Sequence, residues 1–281
     1  MIARPQLTAI TPVSIDHVQY LGATIEKIAF EKAGILKPGV VGVIGPQPTA
    51  ALGVIEARAR DIGAPLWRFG KEWRAARSGD ALIYESGGRT DRYPLPNLPG
   101  AFQIENAGIA LACAEKLDGF GLHAAAKMHG LTHASWPARV QNLKGGKLSA
   151  LIPRDWELWL DGGHNASAGS ALAALAQGWG DRPLHLVYGM LNTKAARDFV
   201  RPLAPLAQSL TAIAIPEVEA SLSAEDAAAE ARAAGAHAET AESLEAALRT
   251  IAQVHGHNAK AARVLICGSL YLAGHVLALD Q

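Results

Sequence analysis

Residues 157–177 read ELWLDGGHNASAGSALAALAQ, and this stretch decides the fold class. A short strand at 157–160 delivers Asp161, and Gly162 and Gly163 turn the chain. Asn165 is placed to cap an alanine-rich helix over 166–177. The same pattern repeats downstream. Strands are predicted at 184–188, 210–215 and 264–267, and helices at 193–203, 224–234, 243–254 and 270–279. Short apolar strands alternating with helices imply an α/β unit with a mostly parallel, doubly wound sheet covered on both faces.

Open parallel sheets bind ligands at the carboxyl ends of their strands, against helix N-termini. Asp161-Gly162-Gly163-His164-Asn165 falls at such an end. An acid there can take ribose hydroxyls or a metal, and His164 can contact phosphate. The spacing fits an ordinary glycine-rich turn with a capping residue equally well. Two similar turns follow, GMLNTK at 189–194 and Gly268-Ser269. Lys194, at the expected start of a helix, opposes the helix dipole and favours an anion nearby.

Upstream, a linker is expected at 132–137, Trp136-Pro137-Ala138-Arg139 sits where the second unit begins, and strands are expected at 139–143 and 147–152. The guanidinium of Arg139 suits phosphate, although a surface arginine after a linker is the plainer reading. The domain boundary is expected here, giving units 1–133 and 134–281. The first unit alternates strand and helix until residue 70. From 70 to 99 short runs punctuated by Gly, Pro, Arg and Asp predict a β-rich insertion, and two helices follow.

Within the first unit, residues 14–39 read SIDHVQYLGATIEKIAFEKAGILKPG. A strand is expected from 8 to 14, ending near Asp16-His17, and a helix after Gly22. Ile25, Ile28, Ala29 and Lys32 share one helical face, so Lys32 is expected to point inward. Such a lysine must snorkel, lose its charge or serve a site. His17 is open as a metal ligand, a base or a structural residue.

The 281 residues carry 26 Lys+Arg against 26 Asp+Glu, a net charge of zero. This leaves no electrostatic footprint for nucleic acid or an acidic membrane. The two cysteines, Cys113 and Cys267, form neither a disulfide framework nor a Cys-rich metal site and are expected to be inert. With no run of 18 apolar residues and no signal-peptide core at the start, a cytoplasmic location is expected. No G-x-x-x-x-G-K-[ST] phosphate loop occurs in these residues.

In order along the chain, SIDHVQYLG, EKAGILKPG, FQIENAGIAL, WPARVQ, LDGGHNASAG, GMLNTK and ICGSLYLAG together resemble the folylpolyglutamate synthase/dihydrofolate synthase family of the Mur ligase superfamily. The resemblance implies the remnant of a Mur-type central ATPase domain followed by a Rossmann-like C-terminal domain. It implies ATP-dependent addition of L-glutamate to dihydropteroate or folate through an acyl phosphate. His17 matches the family's magnesium-binding histidine, and Lys32 its carbamylated, metal-positioning lysine. Asn106, Arg139, Asp161 and His164 match positions that contact ATP, the second and fourth on the phosphate side.

This chain departs from the family at Phe102, where His is usual, and at Gly108 and Gly163, where Ala is common. Family members carry a phosphate loop upstream of the part seen here. The resemblance therefore implies an N-terminally truncated member, inactive alone and exposing an apolar face on its first unit. ATP and Mg2+ are the implied cofactors, small molecules the partners, and a monomer the state of the full-length family. A non-catalytic nucleotide- or partner-binding protein, or another Mur-type amide ligase, are the alternatives.

Overall fold

The computed structural model describes residues 2, 4–16, 18–117, 119–256 and 261–281. The chain divides into two units, Met1–Ser135 and Trp136–Gln281, each described by itself.

In the second unit the strands are β7 (Gln141–Leu143), β8 (Glu157–Leu160), β9 (Leu184–Tyr188), β10 (Ala207–Ala212), β11 (Ala238–Thr240) and β12 (Arg263–Cys267). They form one sheet in the order β11-β10-β9-β12-β8-β7. All neighbours are parallel except β7, which runs antiparallel to β8 at the edge. Every residue of β9 is buried, as expected for a central strand with both faces covered. The helices are α6 (Ala166–Gln177), α7 (Ala196–Val200), α8 (Ala224–Ala233), α9 (Leu244–His255) and α10 (Leu270–Leu279). Leu248 and Ile251 of α9 and Leu272 and Val276 of α10 join Leu158, Leu160, Val187, Val264 and Ile266 in one core. Side-chain oxygens of Asn165, Ser223, Ser243 and Ser269 cap α6, α8, α9 and α10, each worth about 1 kcal/mol.

Three segments depart from the sequence expectation. Residues 147–152 form no strand but a 3-10 turn at Ser149–Leu151. There the Leu148 amide donates to Asp280 Oδ1 at 2.9 Å, which removes it from a ladder, and the Ser149 hydroxyl donates to Gly146 O. The helix expected over 193–203 shrinks to α7. Pro202 bars its continuation, and at the other end the chain enters through the bridge of Leu191 to Ser221. Strand β11 lies in an Ala/Glu-rich run whose composition hides it.

In the first unit, β1 (Thr8–Ile10), β2 (Gly42–Ile44) and β3 (Leu66–Arg68) make a three-stranded parallel sheet. The strand expected over 8–14 thus stops at Ile10. The short helix α1 (Val18–Leu21) precedes α2 (Ile25–Ala33), and α3 (Thr49–Ile62) joins β2 to β3. Ile28, Ala29 and Ala33 pack with Ile10, Val13, Ile44 and Ile55. The β-rich insertion is an antiparallel meander of β4 (Trp73–Ser78), β5 (Ala81–Ser86) and β6 (Arg89–Pro94). The left-handed Gly79, Gly87 and Gly88 make its turns. Helices α4 (Phe102–Lys116) and α5 (Ala124–His133) complete the unit. Gly108 brings α4 onto the meander: a Cβ there would stand 2.4 Å from that of Ala75 and 3.0 Å from the Trp73 ring. Ala75 and Trp73 therefore fill the space an alanine would need.

Lys32 does not point inward. It shares the angular sector of Ile28 and Ala29, yet its side chain is exposed, because the covering elements pack on Ala33 and Leu36 instead. The first unit also presents Tyr20 at 78% and Phe30 at 60% exposure, beside exposed Ile15, Val18 and Ile35.

Gly53 sits inside α3 with nothing within 4 Å of where its Cβ would be. Gly53→Ala is expected to stabilise the protein by about 0.5–1 kcal/mol. A lower urea midpoint for the variant would contradict this.

Candidate functional site

Strand β12 enters the sheet between β8 and β9, so the chain reverses its progression there. Doubly wound sheets open their ligand crevice at such a point. Three turns meet at this edge. Gly162 and Gly163 follow β8, Gly189 follows β9 and Gly268 follows β12. The Gly268 amide donates to Gly163 O at 3.1 Å, and the Gly189 amide to Cys267 O at 3.3 Å. Gly268 has φ 111°, and a Cβ there would lie 2.5 Å from Gly189 O, so only glycine lets these turns nest.

Asp161 is the centre of this edge and is 4% exposed. Its Oδ1 accepts from the Gly163 amide at 2.7 Å and its Oδ2 from the Val140 amide at 2.9 Å. Burial pushes the carboxyl above its ordinary range, against the opposing pull of those two amides and of the charges on Arg139 and His164.

The segment that reaches Asp161 is strained. Ala138 has φ 54° and Val140 φ 46°, a left-handed conformation that is a genuine outlier for a β-branched residue. Both are buried, while Arg139 between them is exposed. The Ala138 amide donates to Gln141 Oε1 at 2.9 Å, and Ala138 O accepts from the Gly162 amide at 2.9 Å.

His164 Nδ1 lies 3.0 Å from Gly162 O. A carbonyl only accepts, so Nδ1 carries the proton, and Nε2 becomes a donor only in the imidazolium. Asn165 Oδ1 accepts from the Ala168 amide at 2.8 Å, which commits that oxygen to the α6 cap. Lys194 precedes α7, which begins at Ala196 and is five residues long; it does not start a long helix as the sequence implied.

Of the residues named from sequence, Arg139, Asp161 and His164 are thus brought together in the second unit. Asn106 belongs to the first unit, on α4, where its Nδ2 donates to Gln103 Oε1 at 3.0 Å. Both side chains line a largely apolar cavity of about 350 Å³ with Leu98, Ala107, Leu111 and Leu131. Lys32 is exposed on α2, and His17 lies outside the described residues. Among the described residues no group of three or more His, Cys, Asp or Glu is arranged to hold a metal ion. Both cysteine thiols are raised by burial, Cys113 to about 11, and so are protonated and unreactive.

Gln141 and the left-handed backbone at Ala138 and Val140 escaped the sequence reading. No glycine marks the left-handed positions, and a glutamine at the start of a short strand carries no signal of its own.

Residues 145–279 match the family described as dihydrofolate synthetase, C-terminal domain. A dihydrofolate synthase/folylpolyglutamate synthase of Bacillus subtilis (strain 168) is 29% identical over 220 residues, 74% of this chain and 49% of that protein. The folylpolyglutamate synthase of Mycobacterium tuberculosis complexed with ADP superposes with a TM-score of 0.82 at 27% identity, over 98% of this chain and 63% of that one. A bifunctional folylpolyglutamate synthase/dihydrofolate synthase with Mn, AMPPNP and L-glutamate bound gives 0.79 at 27% identity, over 97% and 61%. The chain spans about half the length of the curated relatives it matches.

Proposed function

Because the chain belongs to the folylpolyglutamate synthase/dihydrofolate synthase family, we propose that it serves ATP-dependent amide formation between L-glutamate and the carboxylate of dihydropteroate or folate. The observation that carries this reading is the buried Asp161 beneath an exposed Arg139, with His164 beside it, at the switch point of a parallel sheet.

In this reading Arg139 meets the phosphates, where a fixed guanidinium neutralises charge without solvent reorganisation. His164 takes the phosphate side beside it. Each Asp161 oxygen accepts one amide bond and retains a lone pair for a ribose hydroxyl. Asn106 takes the nucleoside side, and its side chain lines a largely apolar cavity. The acyl phosphate formed from the substrate carboxylate is then attacked by the glutamate amine, with phosphate leaving.

Lys32, as a carbamate, and His17 are proposed to contribute to a magnesium site. Magnesium demands near-octahedral oxygen ligation, and the described residues do not gather such a shell. A mass increase of one CO2 on the Lys32 peptide under bicarbonate would support the carbamate, and an unmodified Lys32 under those conditions would count against it. A cytoplasmic location is proposed on the same footing; no helix among the described residues is long and apolar enough to cross a membrane.

Titration calorimetry of the pure chain with ADP tests the reading. Binding is expected, and Arg139→Ala should weaken it about 10- to 100-fold, the worth of a charged hydrogen bond. No binding, or an unaffected variant, would sink the phosphate role. ADP binding without glutamate-dependent ADP release would favour the non-catalytic nucleotide-binding alternative.

A further inference from the structure

We propose that Gln141 and Asp161 are positioning residues, which together hold the left-handed arch 138–140 so that Arg139 projects toward its anion. The inference rests on the nucleotide reading for its functional half and on geometry alone for its structural half.

The arch has little to hold it by itself. Two non-glycine residues at φ 54° and φ 46° each disfavour this conformation, and relaxation of either would swing Arg139 away. Three hydrogen bonds oppose that relaxation. Gln141 Oε1 accepts from the Ala138 amide and Asp161 Oδ2 from the Val140 amide, each at 2.9 Å, and Ala138 O accepts from the Gly162 amide. Ala138 and Val140 are 4% and 1% exposed, so solvent does not replace these acceptors.

The bonds also decide what the arch can do. Successive backbone amides in alternating left- and right-handed conformations form anion-binding nests. Here the amides of Ala138 and Val140 are already taken by side chains. The arch is therefore no backbone anion site, and anion capture falls to the one exposed side chain, Arg139. Gln141 lies at the first residue of β7, paired with Leu160, and Asp161 follows Leu160 directly. The two clamps are thus fixed to neighbouring strands, and Arg139 inherits the rigidity of the sheet edge.

Asp161→Ala removes two acceptors from a buried site and can fail to fold, so Gln141→Ala carries the test. Hydrogen exchange of the amides at 138–140 is measured first, without nucleotide. Faster exchange in Gln141→Ala, restored in Gln141→Glu, which keeps an acceptor oxygen, is expected. Unchanged exchange would overturn the clamp whatever the nucleotide result.

Affinities for ADP and adenosine are then compared. Gln141→Ala is expected to weaken ADP about tenfold and to leave adenosine unchanged. The effect should vanish when Arg139→Ala is already present. Equal loss for both ligands, or additivity with Arg139→Ala, would mean a general structural role and overturn the positioning of Arg139. Faster exchange in Gln141→Ala, with no ADP binding by the wild-type chain, would keep the clamp and refute the nucleotide reading together with the functional half.

Discussion

Gly169→Ala is expected to lower the stability of the second unit by about 3 kcal/mol, the upper end of the usual cost of overpacking. Gly169 lies in α6 where the helix crosses the end of α7. A Cβ there would stand 2.2 Å from Phe199 O and 3.0 Å from its carbonyl carbon. The obstacle is backbone, which cannot rotate aside as a side chain does. Phe199 is fully buried and stacks on Tyr188 of β9 at 6.1 Å, so moving α7 disturbs the central strand. Gly274 in α10 provides the control, with nothing within 4 Å of its Cβ position; Gly274→Ala should be neutral or stabilising. Urea unfolding of the two variants beside wild type decides the matter. An unchanged midpoint for Gly169→Ala would mean that α6 and α7 do not pack as described.

Acidification is expected to cost the second unit about 2 kcal/mol through one side chain, His185. It occupies the second position of β9 and is 1% exposed. Its Nδ1 lies 2.8 Å from Ser209 Oγ, and its ring stacks on Trp156 at 5.7 Å and meets the tilted ring of His255 at 4.4 Å. Burial, and secondarily the charge of His255, lower its pKa from 6.5 to about 4. Above pH 6.5 the ring is neutral folded or unfolded, and stability is undisturbed. Between 6.5 and about 4 the unfolded chain takes a proton that the folded chain refuses, so stability falls through that window. At about 1.4 kcal/mol per pH unit the ceiling is about 3 kcal/mol, and relaxation around the ring reduces it.

Glu72, Glu115 and Glu157, all held below 4.5, add their own losses only at lower pH. His185→Phe keeps the stacking and removes the titration. Its stability should therefore fall less than that of wild type between pH 6.5 and 4.5. Parallel curves for the two proteins would refute the assignment.

Hydrophobic periodicity made most of the second unit legible, because its central strands and longer helices obey their own local rules. The Asp161 turn, its glycines and the capping Asn165 announce themselves by residue type. Strand β11 did not, because its alanine-rich run favours helix and only pairing with β10 overrides that propensity, and α7 ends where Pro202 bars its continuation. Lys32 shows the limit of angular arguments. Its position on the wheel is as read, but burial depends on whether another element covers that turn, which periodicity does not encode. Arg139, Asp161 and His164 could be named from residue type and spacing, but the scaffold around them could not, since Val140 in a left-handed conformation looks like any strand valine.

The apolar side chains on α1 and α2 bear on how copies of this chain behave together in solution. A protein with equal numbers of acidic and basic residues and a pI near 7.2 has no long-range repulsion at neutral pH. Collisions between molecules then bring Tyr20 and Phe30 within reach of one another unopposed. Colloidal stability should be poorest near pH 7 and improve on the alkaline side. There a net negative charge accumulates while His185 stays neutral, so keeping copies apart exacts no penalty from the fold.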